Sequence, residues 1–286
     1  MFEQCGLSDK LTADIRGDVR DTEHLLKVMS EHQPEVILHL AAQPIVLTSY
    51  QEPQETFASN AMGTVNVLDA VRKTSTEQPR AVVCITTDKV YDNKEWVWGY
   101  RESDGLGGYD PYSASKAMAE LAISSYRQSF FNAERYDEHK TAVASTRAGN
   151  VIGGGDWADF RLVPDCVRAF MAGEAVHVRN PSFVRPWQHV MEPLGGYLLL
   201  ASKMLGEDGA SYGEAWNFGP REHSPMTAEE LVSNAIEFWG SGSLTTGSLQ
   251  REKETTYLKL NWDKAAVRLG WEPRYTGEEA LEQTIA

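Results

Sequence analysis

The sequence predicts an α/β protein in which helices cover both faces of a parallel sheet. Apolar runs at residues 36–40 and 81–85 are short enough to be strands buried inside such a sheet, and residues 142–147 predict a third strand. Helix-length segments at residues 55–73 and 113–133 separate them, and the first carries apolar residues at helical spacing. The order strand, helix, strand, helix, strand favours parallel strands joined by crossover helices.

The second half of the chain has a less regular pattern. Apolar periodicity predicts helices near residues 163–172, 194–205, 228–239 and 263–269, and shorter apolar pieces predict strands at Ala175–Val178 and Ala215–Phe218. Residues 240–247 are rich in Gly, Ser and Thr, and this composition predicts a loop.

Composition and charge limit the classes of function. A formal net charge of −14 argues against binding of a nucleic-acid backbone, which depends on clustered Lys and Arg. No apolar run approaches the roughly 18 residues of a membrane helix, and the first residues lack the basic and apolar parts of a signal peptide. Cys5, Cys84 and Cys166 lie far apart, and the histidines show no metal-ligand spacing. We therefore expect no metal site, no disulfide framework and a cytoplasmic location.

Polar side chains follow the predicted strands at the edge where parallel sheets bind ligands. In such sheets the binding site lies beyond the carboxyl ends of the strands. Gln43 follows the first strand, Thr87, Asp88 and Lys89 follow the second, and Asn150 follows the third. An ordinary solvated turn is the competing interpretation of Asp88 and Lys89.

Tyr112 and Lys116 form a YxxxK motif at the start of the second long helix. Residues four apart share one helix face, so the phenol and the ammonium can point into one site. A nearby ammonium favours the phenolate and lowers the tyrosine pKa from its ordinary value of about 10. The motif alone also fits a surface helix. Its position about two dozen residues after the strand that ends at Thr87 favours a shared site.

Longer stretches of the sequence resemble a known enzyme family. Four segments match, in order, the signature of extended short-chain dehydrogenases/reductases that act on nucleotide sugars: residues 39–43, 60–64, 86–91 and 112–116. Five more resemble the CDP-glucose 4,6-dehydratase family in particular: residues 98–102, 107–112, 147–157, 179–181 and 185–190. The resemblance covers essentially the whole chain, and it is specific because Trp and Gly recur within long matching segments.

The resemblance implies a Rossmann-like, doubly wound parallel sheet with a smaller C-terminal substrate-binding domain. Residues 1–155 are expected to form the NAD-binding domain. Residues 156–286 are expected to form mainly the nucleotide-sugar-binding domain, with segments near residues 175–220 returning to the sheet. The family's first strand and glycine-rich turn have no counterpart near the start, so we expect the first β-α-β unit to be missing. A helix begins near residue 278 and meets the end of the chain, so both ends are expected to be cut.

The resemblance assigns catalytic roles to five residues. Tyr112 is the expected base for the C4 hydroxyl proton, Lys116 holds the nicotinamide ribose and lowers the tyrosine pKa, and Thr87 hydrogen-bonds the C4 oxygen. Asp88 is the expected general acid for the departing C6 hydroxyl. Lys89 stands where the dTDP-glucose dehydratases carry Glu, and as in the CDP-glucose enzymes it is expected to take the C5 proton, which requires a neutral amine.

The resemblance also implies the binding residues. Besides Tyr112 and Lys116, NAD is expected to contact Asp18, Leu40, Ala41, Ala42, Gln43 and Asn60. For the substrate, CDP-glucose, the leading candidates are Asn150 and Arg185, whose planar guanidinium suits a pyrophosphate. Arg161 and Arg179 fit ordinary surface charges equally well, and His189 fits a satisfied core histidine at least as well as a substrate contact.

Two other interpretations remain open. A related nucleotide-sugar epimerase, or a dTDP- or GDP-sugar dehydratase, would share the YxxxK motif. A non-catalytic remnant that binds a nucleotide sugar or a partner chain is also possible, because the backbone amides of a glycine turn are the main cradle for a pyrophosphate. The resemblance further implies a homodimer or higher homo-oligomer through the YxxxK helix, and a supply of deoxysugars for surface polysaccharide.

Overall fold

The computed structural model describes residues 2–221, 226–247 and 257–286. The helices are α1 Thr22–His32, α2 Val46–Gln51, α3 Pro53–Phe57, α4 Gly63–Lys73, α5 Pro111–Ser129, α6 Tyr136–His139, α7 Leu162–Ala172, α8 Met191–Met204, α9 Ala228–Trp239, α10 Asp263–Leu269 and α11 Gly277–Ile285. The strands are β1 Val36–His39, β2 Arg80–Ile85, β3 Thr141–Ala148, β4 Val151–Ile152, β5 Ala175–Val178, β6 Val184–Arg185, β7 Gln188–His189, β8 Ala215–Phe218, β9 Met226–Thr227 and β10 Ser243–Thr246. His223, one of the histidines considered for metal binding, lies outside the described residues.

A parallel sheet with the strand order β1-β2-β3-β8 forms the centre of the molecule. Successive side chains of β2 point to opposite faces, so Val82 packs on one side and Val83 on the other. Helices α1, α4 and α5 cover the first face, where Leu68 and Ile123 are fully buried. Helices α8 and α10 cover the second face around Trp216. The predicted α/β class with helices on both faces is confirmed.

The predicted helix at residues 55–73 is a continuous helical stretch with an irregular centre. It starts at Pro53, a residue suited to the first helical turn because it needs no N–H partner there. A π turn, Ala58–Met62, separates α3 from α4. Such turns widen a helix locally and are frequent at functional sites. Here the π turn carries Asn60, which is buried.

Helix α5 begins one residue before Tyr112. Asp110 caps it, because its carboxylate accepts from the Ser113 N–H at 2.9 Å and from the Ser113 hydroxyl at 2.6 Å. Pro111 occupies the first helical position. The cap therefore fixes the YxxxK motif in the first two turns of the helix, and the helix ends at Ser129.

The second half packs around its own apolar cluster. Helices α7 and α9 bury Phe170 and Leu231 against β5, and α11 adds Leu281 to the same cluster from its contacts with α9 and β7. The prediction of a loop at residues 240–247 is wrong, because β10 lies within this range and pairs in parallel with β5. Leu244 packs on the cluster beside two β-branched threonines, and this short strand signal was outweighed by the flanking glycines and serines.

Two strands near residues 175–220 have different positions. Strand β8 joins the central sheet beside β3, whereas β5 pairs with β10 and stays outside that sheet.

No helix in the described part of the chain is long and apolar enough to span a bilayer.

Candidate active site

A cavity of about 400 Å³ opens at the carboxyl ends of β2 and β3. The central sheet forms one wall, and the segments around α7 and β5 to β6 form the other. Eight residues that the sequence marked as site candidates line it: Thr87, Asp88, Lys89, Tyr112, Asn150, Arg161, Arg179 and Arg185. The two halves of the chain thus bring these groups to one place, as expected for the edge of a parallel sheet.

Asp88 lies buried in the first turn after β2. Its Oδ1 atom accepts a hydrogen bond from the Thr87 hydroxyl at 3.0 Å, and its Oδ2 atom is buried without a partner among the described residues. Burial raises the pKa of this carboxyl, and the positive charges of Lys89 and Arg185 only partly oppose that effect. A carboxyl in this environment favours its protonated form, which can donate a proton to a leaving group.

Gly149 allows the chain after β3 to come close to Asp88. A Cβ atom at this position would lie 2.5 Å from Pro186 Cγ and 3.2 Å from Asp88 Oδ2. Neither distance leaves normal van der Waals space. The glycine therefore keeps room around the one unpartnered carboxyl oxygen.

Tyr112 lies beside Asp88 in the same cavity. Burial raises the pKa of its phenol to about 12, and the charge of Asp88 adds to this increase. A hydrogen bond with Thr87 and the positive charge of Arg161 act in the opposite direction. Arg161 is held in place by Asp156, whose carboxylate is 2.9 Å from the guanidinium. The cation that acts most directly on Tyr112 therefore comes from the second half of the chain, and no sequence motif indicates this proximity.

Lys116 lies behind Tyr112, at the end of β2. Its ammonium donates to the Ile85 carbonyl at 3.1 Å and is almost completely buried. Burial lowers the Lys116 pKa to about 8, while Cys84 and Glu120 oppose this change. That Lys116 lowers the Tyr112 pKa stays a prediction, because in this structure the ammonium contacts the strand carbonyl.

The segment after β1 runs along the same edge of the sheet. His39 pairs with Cys84, so Leu40 leaves the sheet beside Ile85, whose carbonyl receives the Lys116 ammonium. Leu40 and Ala41 are exposed, and Ala42 is half-buried. These residues thus lie at the surface beside the ends of β1 and β2.

Asn60 braces this segment with its side-chain amide. Its Oδ1 atom accepts from the Gln43 N–H at 2.8 Å, and its Nδ2 atom donates to the Gln43 carbonyl at 3.0 Å and to the Ser115 hydroxyl at 2.9 Å. The Gln43 side chain in turn donates to Thr56. Both amides therefore have protein partners, and they fix the loop after β1 against α5.

Asp18 lies on the surface, away from the cavity lining. Its carboxylate binds Arg20, which also pairs with Glu55. The hydrogen bonds with Arg20 lower the Asp18 pKa to about 2.

Comparison with known proteins identifies the family. A family model described as GDP-mannose 4,6 dehydratase matches residues 7–284. The chain belongs to this dehydratase family. A protein named CDP-glucose 4,6-dehydratase, from Salmonella typhimurium, is 48% identical over 286 residues, which are 100% of this chain and 79% of that protein. A dTDP-glucose 4,6-dehydratase from Xanthomonas campestris is 24% identical over 288 residues, with 95% and 77% of the two chains covered.

Solved structures share the fold of this dehydratase-family chain. A dTDP-glucose 4,6-dehydratase from Streptomyces venezuelae, solved with NAD and TYD bound, superposes with a TM-score of 0.81 at 24% identity, covering 97% of this chain and 81% of that one. A UDP-glucose 4-epimerase from Thermotoga maritima, solved with UDP-glucose, gives a TM-score of 0.80 at 23% identity, with coverage of 95% and 82%.

One predicted substrate residue of this dehydratase-family chain lies apart from the others. His189 is absent from the lining of the main cavity, and its Nδ1 atom accepts from the Met191 N–H at 3.3 Å while its ring packs edge-on against Tyr275. Sequence reasoning also missed lining residues such as Tyr197 and Phe183. Tyr197 lies in an apolar helix pattern that indicates only a core position, and Phe183 precedes a strand too short to be recognised.

Proposed function

We propose that this chain converts CDP-glucose to CDP-4-keto-6-deoxyglucose with NAD as cofactor. The observation that carries the proposal is the pairing, in one cavity, of Tyr112 with a buried Asp88 whose pKa is raised. The first residue suits removal of a hydroxyl proton, and the second suits protonation of a leaving hydroxyl. The choice of nucleotide is supported by the 48% identity to the Salmonella CDP-glucose 4,6-dehydratase.

The residues at the ends of β1 and β2 suit a dinucleotide. Leu40 and Ala41 are exposed there and carry main-chain hydrogen-bonding groups, and the buried Lys116 offers a cation next to them. In this proposal Lys116 and Tyr112 hold the nicotinamide ribose. The remaining expected contacts with the dinucleotide come from Ala42, Gln43, Asn60 and the more distant Asp18. Bound NAD would supply a hydride acceptor, and the same hydride would later return to the sugar, so the sugar undergoes no net oxidation.

Tyr112 and Thr87 act at C4 of the sugar. The phenol oxygen of Tyr112, once ionised, takes the C4 hydroxyl proton, and the Thr87 hydroxyl holds the same oxygen. The Arg161 charge helps to offset the cost of ionising a buried phenol. Oxidation of C4 to a ketone acidifies the proton on C5, which prepares the elimination.

Asp88 and Lys89 act at C6 and C5. Protonated Asp88 gives its proton to the C6 oxygen, which leaves as water. Lys89 removes the C5 proton in its neutral form. Burial favours the protonated, uncharged form of Asp88.

The cations of the cavity suit the diphosphate of the substrate. The chain as a whole is acidic, yet Arg161, Arg179 and Arg185 all line this one cavity. Arginine binds phosphate oxygens through two parallel N–H groups, which orients as well as attracts the anion. In the proposal Arg185 clamps the pyrophosphate, Asn150 hydrogen-bonds the sugar or a phosphate, and His189 supports the segment that carries Arg185.

The proposal extends to location and assembly. A cytoplasmic homodimer that supplies deoxysugars for surface polysaccharide is consistent with a nucleotide-sugar enzyme. On α5, Met118 and Leu121 are exposed, whereas Ala117 and Ile123 are buried in the core. The exposed pair would form part of the dimer contact.

The test is to incubate the purified chain with NAD and CDP-glucose and to measure 4-ketosugar by its absorbance in alkali. UDP-glucose, dTDP-glucose and GDP-mannose run in parallel, and Tyr112→Phe is the inactive control. Faster turnover of CDP-glucose than of the other three supports the proposal. Preference for another nucleotide sugar, or binding without product from a folded chain, contradicts it.

A further inference from the structure

A buried carboxylate with four donors lies just behind the proposed site. Glu120, on α5, accepts from the Thr86 hydroxyl at 2.6 Å and from the Ser145 hydroxyl at 2.8 Å. Arg147 donates to both oxygens, from Nε at 2.9 Å and from Nη2 at 2.8 Å. Only 3% of the Glu120 side chain and 4% of the Arg147 side chain are exposed.

Arg147 extends this contact toward the loop after Lys89. Its Nη1 atom donates to the Tyr91 hydroxyl at 2.8 Å and to the Glu102 carbonyl at 3.2 Å. The Tyr91 hydroxyl donates to Asn217 on β8 at 2.7 Å. The pair therefore joins α5, β2, β3, β8 and the loop between Lys89 and α5 within one hydrogen-bonded network.

The position of Glu120 connects the two catalytic motifs. Thr86 immediately precedes Thr87, and Lys116 lies one helical turn before Glu120 on the same face. The single carboxylate thus ties the helix that carries Tyr112 and Lys116 to the strand end that carries Thr87 and Asp88.

Stability alone does not explain a buried ion pair. Desolvation of two charges commonly cancels their attraction, and apolar replacements are often neutral or stabilising. Burial opposes ionisation of Glu120, but the hydrogen bonds and charge of Arg147, with Thr86 and Ser145, hold its pKa below the ordinary value. The carboxylate is therefore a permanent negative charge in the core.

This charge opposes the effect of burial on the Lys116 pKa. His39 faces it from β1, Cys84 from β2 and Glu120 from α5. His39 is neutral because burial, and next the positive charge of Lys116, lower its pKa to about 4. Among these neighbours Glu120 is the one that carries a full negative charge at neutral pH.

We infer that the Glu120–Arg147 pair is a positioning device that sets the register of α5 against β2 and β3 and keeps Lys116 protonated. Glu120 and Arg147 act through Lys116 and Tyr112 and do not contact the substrate. The part that concerns turnover rests on the proposed function, whereas the part that concerns the charge of Lys116 does not.

The charge of Lys116 is tested without turnover. Lysine side-chain Cε resonances are titrated by NMR in the wild type and in Glu120→Gln, with Lys116 assigned from Lys116→Arg. The midpoint of Lys116 is expected about one pH unit lower in Glu120→Gln. Glu192→Gln is the matched control, because Glu192 is also buried and accepts two backbone N–H bonds far from Lys116. An unchanged Lys116 midpoint in folded Glu120→Gln overturns the inference.

The positioning is tested with a double variant that keeps the core filled. In Glu120→Leu/Arg147→Met both charges are removed, so the chain is expected to fold with a melting temperature near that of the wild type. With CDP-glucose and NAD, kcat is expected to fall at least about tenfold with little change in KM, and the pH profile should move. Wild-type kcat and pH profile in the folded double variant overturn the inference. If the wild type itself turns over no substrate, the proposed function fails. The lysine titration still shows whether Glu120 keeps Lys116 protonated.

Discussion

At the scale of single residues, the surroundings of Asp88 decide what its carboxyl can do. Thr87 satisfies one oxygen, Gly149 leaves room beside the other, and burial favours the protonated form. The sequence alone can mark Asp88 as a site candidate, because it follows a buried strand. It does not indicate the proximity of Arg161 to Tyr112, which depends on how the two halves of the chain pack.

Replacement of the acid separates the steps of the proposed reaction. In Asp88→Asn, 4-ketosugar formation from CDP-glucose is expected to fall by about 10²- to 10⁴-fold, since an amide cannot protonate the leaving oxygen. Oxidation at C4 should continue and appear as absorbance of reduced nicotinamide. Asp92→Asn, at an exposed carboxylate paired with Lys94, is the control. Equal activity of both variants would contradict the role of Asp88.

A methyl group at Gly149 tests the space around Asp88. In Gly149→Ala the new Cβ would press on Pro186 and on Asp88 Oδ2, so kcat is expected to fall by about tenfold or more. Gly154→Ala is the matched control, because a Cβ at that glycine meets no atom within 4 Å. Initial rates for both variants decide the question, and full activity of Gly149→Ala would show that the close approach is dispensable.

At the scale of elements, local signals explain some boundaries and miss others. The Asp110 cap and Pro111 start α5 where the motif requires it, and these residues are visible in the sequence. Strand β10 was missed because flanking glycines and serines outweigh its short strand signal, and pairing with the distant β5 stabilises it. The π turn around Asn60 was also missed, since its irregular backbone is fixed by tertiary hydrogen bonds to Gln43 and Ser115.

Loss of the α5 cap should weaken the fold by a measurable amount. Asp110→Ala removes the acceptor for the Ser113 N–H and is expected to lower the free energy of unfolding by about 0.5–2 kcal/mol. Asp110→Asn keeps an acceptor and should stay close to the wild type. Urea unfolding of the three proteins measures the difference. Equal values for Asp110→Ala and the wild type would show that the cap contributes nothing.

At the scale of the whole molecule, the buried His39 links stability to pH. Its Nε2 atom is hydrogen-bonded to the Thr64 hydroxyl at 3.1 Å, and its pKa of about 4 lies below the value of about 6.5 for an unfolded chain. The unfolded chain binds a proton as the pH falls through 6.5, and the native one does not until about 4. The contribution of neutral His39 to the free energy of unfolding is therefore fully present above pH 6.5 and is lost as the pH falls toward 4.

His39→Gln removes this dependence while it keeps a donor for Thr64. Between pH 7.5 and 5.5 the wild type is expected to lose about 1 kcal/mol more unfolding free energy than the variant. Urea titrations at several pH values give this difference, with His32→Gln as the control at an exposed histidine. Parallel pH curves for the wild type and His39→Gln would contradict the assignment.

The sequence patterns predicted the central sheet and the polar residues at the carboxyl ends of its strands better than the rest of the fold. Apolar runs mark β1 and β2 and the start of β3, because strands covered on both faces carry mainly apolar side chains. The far wall of the cavity was less predictable. Tyr197 reaches it from a helix whose pattern indicates only a core position, and Phe183 reaches it from beside a strand too short to be recognised in the sequence.

The influence of Asp88 on Tyr112 has a reciprocal side. Because an ionised Asp88 makes loss of the Tyr112 proton harder, an ionised Tyr112 must make loss of the Asp88 proton harder by the same free energy. The two groups therefore show negative cooperativity in releasing protons. When the phenolate forms to begin the cycle, the acid holds its proton more firmly, and when the phenol recovers a proton, the acid releases its own more easily. In the proposed reaction, this antagonism keeps the proton on Asp88 during oxidation at C4 and eases its transfer to the C6 oxygen afterwards.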